Sequence, residues 1–120
     1  MTSVLVVDDD HSVRDLIKEI LSDMKVDVFE AKDGVDAIEI LSTRKIDILL
    51  TDLVMPNKNG IDLIMQAKKQ YPGVRLIAIS GGGGITGTID YLPVAGLVGA
   101  VETLKKPFTP DDVRSIVKGK

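Results

Sequence analysis

The sequence predicts an α/β protein whose five strands form a mainly parallel sheet covered by helices. Short apolar runs alternate with segments of helical periodicity along the chain, which is the pattern of βα repeats. Several runs are almost continuously apolar, as expected of strands buried on both faces. The chain has 120 residues, 44% of them hydrophobic, enough for one domain and too few for two. We therefore expect a single domain over residues 1–120.

Five apolar runs predict the strands, at residues 4–7, 26–31, 46–50, 74–79 and 98–104. After the first run, apolar residues recur every three or four positions, which predicts an amphipathic helix with one face in the core. These core residues are Val13, Leu16, Ile17, Ile20, Leu21 and Met24. Asp10 or Ser12 can cap this helix, because short polar side chains accept hydrogen bonds from the first turn.

The second and third helices have clear boundaries. The second follows the turn Asp33-Gly34 and ends near Arg44, and the third follows Gly60 and stops at Tyr71-Pro72-Gly73. Their predicted core residues are Ala37, Ile38 and Leu41 in the second helix and Ile61, Ile64 and Ala67 in the third.

The last helix has the strongest start signal. Thr109 can cap it, Pro110 suits the first helical position, and Asp111 and Asp112 suit the positive end of the helix dipole. Val113, Ile116 and Val117 are its predicted core residues.

The segment before the fifth strand has weak helical character. Glycines at 81–84 and at 87 favour irregular backbone, and Pro93 is tolerated only in the first turn of a helix. We expect a long loop and then a short helix at residues 90–97.

Composition excludes several classes of protein. The chain has no cysteine, so it has no disulfides and no thiolate zinc site, and a cytoplasmic location is expected. Its apolar runs are too short to span a membrane, and no basic segment precedes the first of them. The net charge of -3 and the four aromatic residues predict no nucleic-acid binding by the chain itself.

Polar side chains follow the predicted strands, at the edge where parallel sheets carry their functional crevice. They are Asp8, Asp9 and Asp10 after the first strand, Asp52 after the third, Ser80 after the fourth and Lys106 after the fifth. Carboxylates this close repel one another unless a cation lies among them. Because the available ligands are oxygens, magnesium or manganese is favoured over zinc or copper.

This set of groups suits phosphoryl transfer. Asp8, Asp9 and Asp52 bring three negative charges, and a divalent ion with Lys106 would bring three positive charges. Positive charge and donors around the transferring group are what this reaction requires. Asp52 could then act as the nucleophile and form an acyl phosphate.

The same residues carry a family resemblance. Four motifs occur in order over nearly the whole chain: Val-Leu-Val-Val-Asp8-Asp9-Asp10, Leu50-Thr51-Asp52-Leu53-Val54-Met55-Pro56 with Gly60 beyond it, Ser80 at a strand end, and Lys106-Pro107-Phe108. Together they resemble the receiver domain of two-component response regulators, the chemotaxis receivers among them. The resemblance implies a flavodoxin-like, doubly wound parallel sheet with strand order 2-1-3-4-5.

The resemblance also implies roles for individual residues. Asp52 would accept a phosphoryl group from a histidine kinase or a histidine phosphotransfer protein, and the chain would act as a switch rather than as an enzyme. The other implied roles are Mg²⁺ binding by Asp8, Asp9, Asp52 and the backbone carbonyl of Val54, and contact with the phosphoryl oxygens by Ser80 and Lys106. The bond between Lys106 and Pro107 would be cis.

In this family, the face made by the fourth helix, the fifth strand and the last helix changes on phosphorylation. We expect the same face to dock partners here, with a homodimer as one option. Thr103 stands where the family often has an aromatic switch residue, which leaves aromatic gating open. The chain is either a free-standing receiver or a receiver cut from a longer regulator.

Two other interpretations compete with this one. A small phosphohydrolase would use Asp8 as nucleophile together with Asp10, and it would give Asp52 no role. Residues 82–87 fit a dinucleotide-binding glycine pattern, but they follow the fourth strand rather than the first. His11, the single histidine, is expected to be an exposed residue of a first helical turn rather than a ligand.

Overall fold

A computed structural model describes residues 1–53, 60–80 and 102–119, with Ser80 described by its backbone alone. Strands and helices alternate along these residues. The strands are β1 (Thr2–Val7), β2 (Val26–Ala31), β3 (Ile48–Asp52), β4 (Arg75–Ser80) and β5 (Glu102–Lys105). The helices are α1 (His11–Leu21), α2 (Gly34–Thr43), α3 (Gly60–Gln70) and the C-terminal helix (Pro110–Lys118).

The five strands form one sheet in the order β2-β1-β3-β4-β5, and every neighbouring pair is parallel. This confirms the predicted doubly wound sheet and its strand order. Parallel pairing brings the carboxyl ends of all five strands to one edge, where an open α/β sheet carries its functional crevice.

Side chains alternate between the two faces of the sheet, so each strand contributes to two cores. On one face, Leu5 and Val7 of β1 pack with α2 and α3, and on the other, Val4 and Val6 pack with α1 and the C-terminal helix. None of the helices among the described residues is long and apolar enough to cross a membrane.

The predicted caps form as hydrogen bonds. Asp10, rather than Ser12, caps α1, since its side chain accepts from the Ser12 amide at 2.9 Å. Thr109 begins the C-terminal helix in a reciprocal capping box with Asp112, and Pro110 is the first helical residue. These capping hydrogen bonds fix the segments after β1 and β5, and these segments contain residues of the predicted site.

Some elements differ from the prediction. Leu16 was expected in the core and is 48% exposed, because it lies about 100° from Ile17 around the helix and so at the margin of the apolar stripe. β3 begins two residues later than expected and continues through Thr51 and Asp52, because ladder hydrogen bonds do not depend on apolar side chains. The predicted helix at residues 90–97 lies outside the described residues.

Arg75 joins three elements at the edge of the sheet opposite the predicted site. Its guanidinium donates two hydrogen bonds of 2.7 Å to the Glu102 carboxylate at the start of β5. It also donates to the carbonyls of Ile116 and Val117 at 2.6 and 3.1 Å. Because the last carbonyls of a helix lack partners within the helix, Arg75 stabilises the end of the C-terminal helix.

We expect Arg75→Met to lower the free energy of unfolding by about 1–3 kcal/mol, since it removes several charge-assisted hydrogen bonds. Urea denaturation followed by circular dichroism measures this loss. Arg44→Met is the control, because Arg44 stacks over the Phe29 ring at 4.8 Å, a contact worth about 1 kcal/mol or less at an exposed site. A smaller loss for Arg75→Met than for Arg44→Met would contradict the stabilising role of Arg75.

Candidate functional site

The strand register brings Asp8 and Asp52 side by side. Val7 pairs with Thr51 across β1 and β3, so Asp8, which follows Val7, lies next to Asp52 at the end of β3. Both residues are buried, with Asp8 only 1% and Asp52 9% exposed. Two carboxylates from separate strands thus meet at the carboxyl edge of the sheet, as the sequence predicts.

Asp8 is held by backbone and side-chain hydrogen bonds. Its amide donates to the Ala31 carbonyl at 3.2 Å, and its Oδ1 accepts from the Asp10 amide at 2.9 Å. Its Oδ2 is buried and has no hydrogen-bond partner among the described residues. A buried carboxylate oxygen without such a partner is costly unless a cation approaches it.

Lys106 supplies one such cation. Its ammonium nitrogen lies 3.6 Å from Asp8 Oδ2 and 3.6 Å from Asp52 Oδ2, and its side chain is 30% exposed. Lys106 reaches this position because it follows β5 directly, and it precedes a cis peptide bond to Pro107, as expected. A single ammonium therefore bridges the two buried carboxylates and still faces solvent.

The carboxylates of Asp8, Asp9 and Asp52 can also surround a metal ion. One oxygen from each lies within 4.8 Å of the others, and Asp9 is the exposed member of the three. This donor set of hard oxygens suits Mg²⁺ better than it suits zinc or copper, which favour nitrogen and sulfur ligands. The unbonded Oδ2 of Asp8 agrees with a cation at this point.

Not every predicted site residue can be placed. Ser80 ends β4, where it pairs with Lys105, but its side chain lies outside the described residues. Val54 and residues 82–87 also lie outside them. Thr103 is exposed in β5, and His11 is the exposed first residue of α1.

A second group of potential ligands, His11, Asp15 and Glu30, lies beside α1. Its atoms already have cationic or hydrogen-bonding partners. Arg14 Nε donates to Glu30 at 3.2 Å, and Lys18 lies 3.5 Å from the same carboxylate. His11 lies 3.1 Å from Asp15. We interpret this group as an ion-pair network, because ammonium and guanidinium groups neutralise the carboxylate that a metal would need.

Arg14 and Glu30 are site neighbours that the sequence did not predict. One signal was available: Arg14 lies near the start of α1, where the helix dipole disfavours a cation. A cation in that position needs a nearby acceptor. Its partner Glu30 comes from β2, which a single sequence does not reveal.

Burial raises the pKa of the Asp8 carboxyl above its ordinary value. The Asp52 and Asp9 charges act in the same direction, and the Asp10 amide and the Lys106 ammonium oppose it. The proton is then bound more tightly in the folded than in the unfolded state, so the stability it provides is lost as pH rises through the folded-state pKa. At any pH above that pKa, the ionised Asp8 carboxylate costs stability unless a divalent ion is bound beside it.

We therefore expect Asp8→Asn to raise the melting temperature at neutral pH in the absence of divalent ions. The gain should shrink as pH falls through the pKa of Asp8, because the wild-type carboxyl then also becomes neutral. Asp9→Asn, at an exposed position, serves as the control and should change the melting temperature little. Thermal denaturation at several pH values measures both. A lower melting temperature for Asp8→Asn than for the wild type at neutral pH would contradict a raised pKa at Asp8.

The fold and the site define an α/β protein with an acidic, lysine-bridged cluster at the carboxyl edge of its sheet. Residues 4–118 match the family model of the response regulator receiver domain. The chain belongs to this family, the receiver domains of two-component response regulators, and is a phosphoryl-accepting switch. Membership implies a regulatory role and a partner that donates the phosphoryl group.

Individual relatives agree with this assignment. Sporulation initiation phosphotransferase F of Bacillus subtilis is 28% identical over 96% of this chain and 90% of its own length. The chemotaxis response regulator CheY4 of Vibrio cholerae has a solved structure that superposes with a TM-score of 0.86 at 25% identity, covering 98% of this chain and 97% of that one.

Other relatives are longer than this chain. The transcriptional regulatory protein MalR of Bacillus subtilis is 36% identical over 90% of this chain, which spans 45% of the length of MalR.

Proposed function

We propose that Asp52 is the residue that accepts the phosphoryl group, and that Asp8, Asp9 and Asp52 hold Mg²⁺ beside it. The supporting observation is the Lys106 ammonium, 3.6 Å from both Asp8 and Asp52. This ammonium, from the residue that follows β5, supplies positive charge beside the nucleophile. The proposal keeps the backbone carbonyl of Val54 as a further metal ligand and the Ser80 hydroxyl as a donor to the phosphoryl group.

In the proposed reaction, an oxygen of the Asp52 carboxylate attacks the phosphorus of a phosphohistidine. The new P–O bond forms as the P–N bond breaks, and the electron pair of that bond goes to the imidazole nitrogen, which then takes a proton. When held by Asp8, Asp9 and Asp52, Mg²⁺ would supply positive charge for the phosphoryl group. The Lys106 ammonium lies 3.6 Å from Asp52 Oδ2, so it is near the negative charge that the phosphoryl group would bring. Because this distance is longer than a short hydrogen bond, the ammonium can turn from the two carboxylates toward that charge.

The donor we propose is a histidine kinase or a histidine phosphotransfer protein in the cytoplasm. Phosphorylation adds about one negative charge at neutral pH to the pocket that Lys106 enters, which should draw the end of β5 inward. The face containing β5 and the C-terminal helix would transmit this change to a docking partner or to a second copy of the chain. The chain would then act as a switch, with only slow loss of its own phosphoryl group.

A labelling experiment tests this proposal. The protein is incubated with acetyl phosphate, a small acyl-phosphate donor, with Mg²⁺ or with a chelator, and its intact mass is recorded. We expect the mass of one phosphoryl group to be added with Mg²⁺ and almost none with the chelator. Equal labelling in the chelator would contradict the proposed metal role, and no labelling in either condition would contradict phosphoryl acceptance.

The phosphohydrolase alternative is not favoured. That function would need the Asp10 side chain beside Asp8, but Asp10 caps α1 and accepts from the Ser12 amide. Asp52, which the alternative leaves without a role, instead lies 3.6 Å from the Lys106 ammonium at the centre of the site. Turnover of p-nitrophenyl phosphate that depends on Asp8 and persists in Asp52→Asn would restore the alternative.

A further inference from the structure

We propose that Arg14 is a positioning residue that sets the geometry of the acidic turn for Mg²⁺ binding. The inference rests on the proposed function, since it concerns the same metal site, but Arg14 itself lies outside the carboxylate cluster. The geometry that carries it is a ring of contacts linking α1, the end of β2 and the turn after β1.

The guanidinium of Arg14 contacts three groups, and its side chain is only 14% exposed. Nη1 donates to the backbone carbonyl of Asp8 at 2.7 Å, and Nε donates to Glu30 Oε1 at 3.2 Å. Nη2 lies 3.1 Å from His11 Nδ1. Each nitrogen of the guanidinium thus has a partner. Three contacts in different directions fix the plane of the guanidinium, whereas the ammonium of a lysine has no plane to fix.

The hydrogen bond to the Asp8 carbonyl has a specific consequence. That carbonyl belongs to the peptide joining Asp8 to Asp9, so Arg14 fixes the plane of this peptide and the direction in which Asp9 leaves the strand. On the other side, the Asp8 amide donates to the Ala31 carbonyl at 3.2 Å. Because Ala31 follows Glu30 in β2, the ring of contacts closes through adjacent residues and holds both sides of Asp8.

Arg14 therefore acts on the site without touching the metal. Two of the three carboxylates, those of Asp8 and Asp9, leave the backbone on either side of the peptide that it holds. Octahedral Mg²⁺ tolerates little error in ligand position. Partners that orient metal ligands typically contribute about 10–100-fold to metal affinity.

Lys18 provides a matched control. It lies on the same helix and pairs with the same carboxylate, 3.5 Å from Glu30 Oε2, and its side chain is 57% exposed. Arg14 also donates from Nη1 to the Asp8 carbonyl, whereas the contact of Lys18 is with Glu30. If Arg14 merely anchored α1 to β2, the two cations would act alike.

The test is a Mg²⁺ titration of the whole chain by calorimetry, which needs no phosphorylation. We expect Arg14→Met to raise the Mg²⁺ Kd about 10-fold or more. Arg14→Lys should show a smaller rise, because an ammonium can replace only part of the fork. Lys18→Met should change the Kd by about twofold or less, as expected for an exposed ion pair. Acetyl phosphate labelling of Arg14→Met should recover when Mg²⁺ is raised to saturation.

A second measurement separates positioning from general destabilisation. Without Mg²⁺, amide hydrogen exchange in Arg14→Met should accelerate at Asp9 and Asp10 and stay unchanged in β3. An unchanged Kd in Arg14→Met, an equal rise in Lys18→Met, or faster exchange throughout the chain would overturn the proposal.

If the wild type binds Mg²⁺ but accepts no phosphoryl group, the proposed function fails while the comparison of Kd values still decides the role of Arg14. If the wild type binds no Mg²⁺, both fail.

Discussion

Asp52→Asn is expected to abolish phosphoryl acceptance, the largest effect on function that the structure predicts. The amide nitrogen and oxygen of asparagine share their electrons and attack phosphorus poorly, so the nucleophile is lost although the shape is kept. The measurement is intact-mass detection of the phosphoryl group after incubation with acetyl phosphate and Mg²⁺. We expect at least about a hundredfold slower labelling, the scale of loss when a reacting group is removed.

Asp27→Asn is the matched control for this experiment. Asp27 is an exposed aspartate of β2 that pairs with Ser3, at the end of the sheet away from the site. Its replacement should leave the labelling rate unchanged. Labelling of Asp52→Asn at the rate of the wild type would show that another residue is the acceptor, and it would remove the central role assigned to Asp52.

Gly60→Ala is expected to cause a large loss of stability. A Cβ at position 60 would overlap the carbonyl oxygen of Asp52 and would lie 2.6 Å from the Leu53 Cα. Both neighbours are backbone, so no side chain can rotate away, and the end of β3 or the start of α3 must move. We expect a loss of about 3 kcal/mol in urea denaturation, at the upper end of the range for overpacked sites.

Gly73→Ala is the control, because a Cβ there meets nothing within 4 Å. Its effect should stay within about 1 kcal/mol and can be favourable, since alanine restricts the unfolded chain more than glycine. Equal unfolding free energies for the two variants would contradict the close approach of α3 to Asp52. Because the contact is with Asp52 itself, Gly60→Ala should also slow phosphoryl labelling, which Gly73→Ala should not.

Local signals predicted the parts of the fold that depend on neighbours in the chain. The caps at Asp10 and Thr109 need only a short polar side chain before a helix, and both formed as expected. The apolar runs located five strands, because burial on both faces leaves a continuous pattern. The convergence of Asp8, Asp52 and Lys106 followed from the rule that parallel strands end at one edge.

Features that depend on distant segments were not visible in the sequence. Gly60 was recognised as the start of a helix and as part of a motif, whereas its need to be glycine comes from the Asp52 backbone folded against it. Leu16 fits the apolar period of α1 but lies at the margin of its stripe, and how far the neighbouring elements cover that margin is decided by packing. The contact of Arg14 with both Glu30 and the Asp8 carbonyl likewise requires the packing of α1 beside β2.

The central claim is that Asp52, among the carboxylates gathered at the sheet edge, forms the acyl phosphate. Borohydride reduction of the phosphorylated protein, followed by tandem mass spectrometry of its peptides, tests this most directly, because it converts an acyl-phosphorylated aspartate to homoserine. We predict homoserine at position 52, with Asp8 and Asp9 unmodified. Homoserine at position 8 or 9, with Asp52 intact, would contradict the claim.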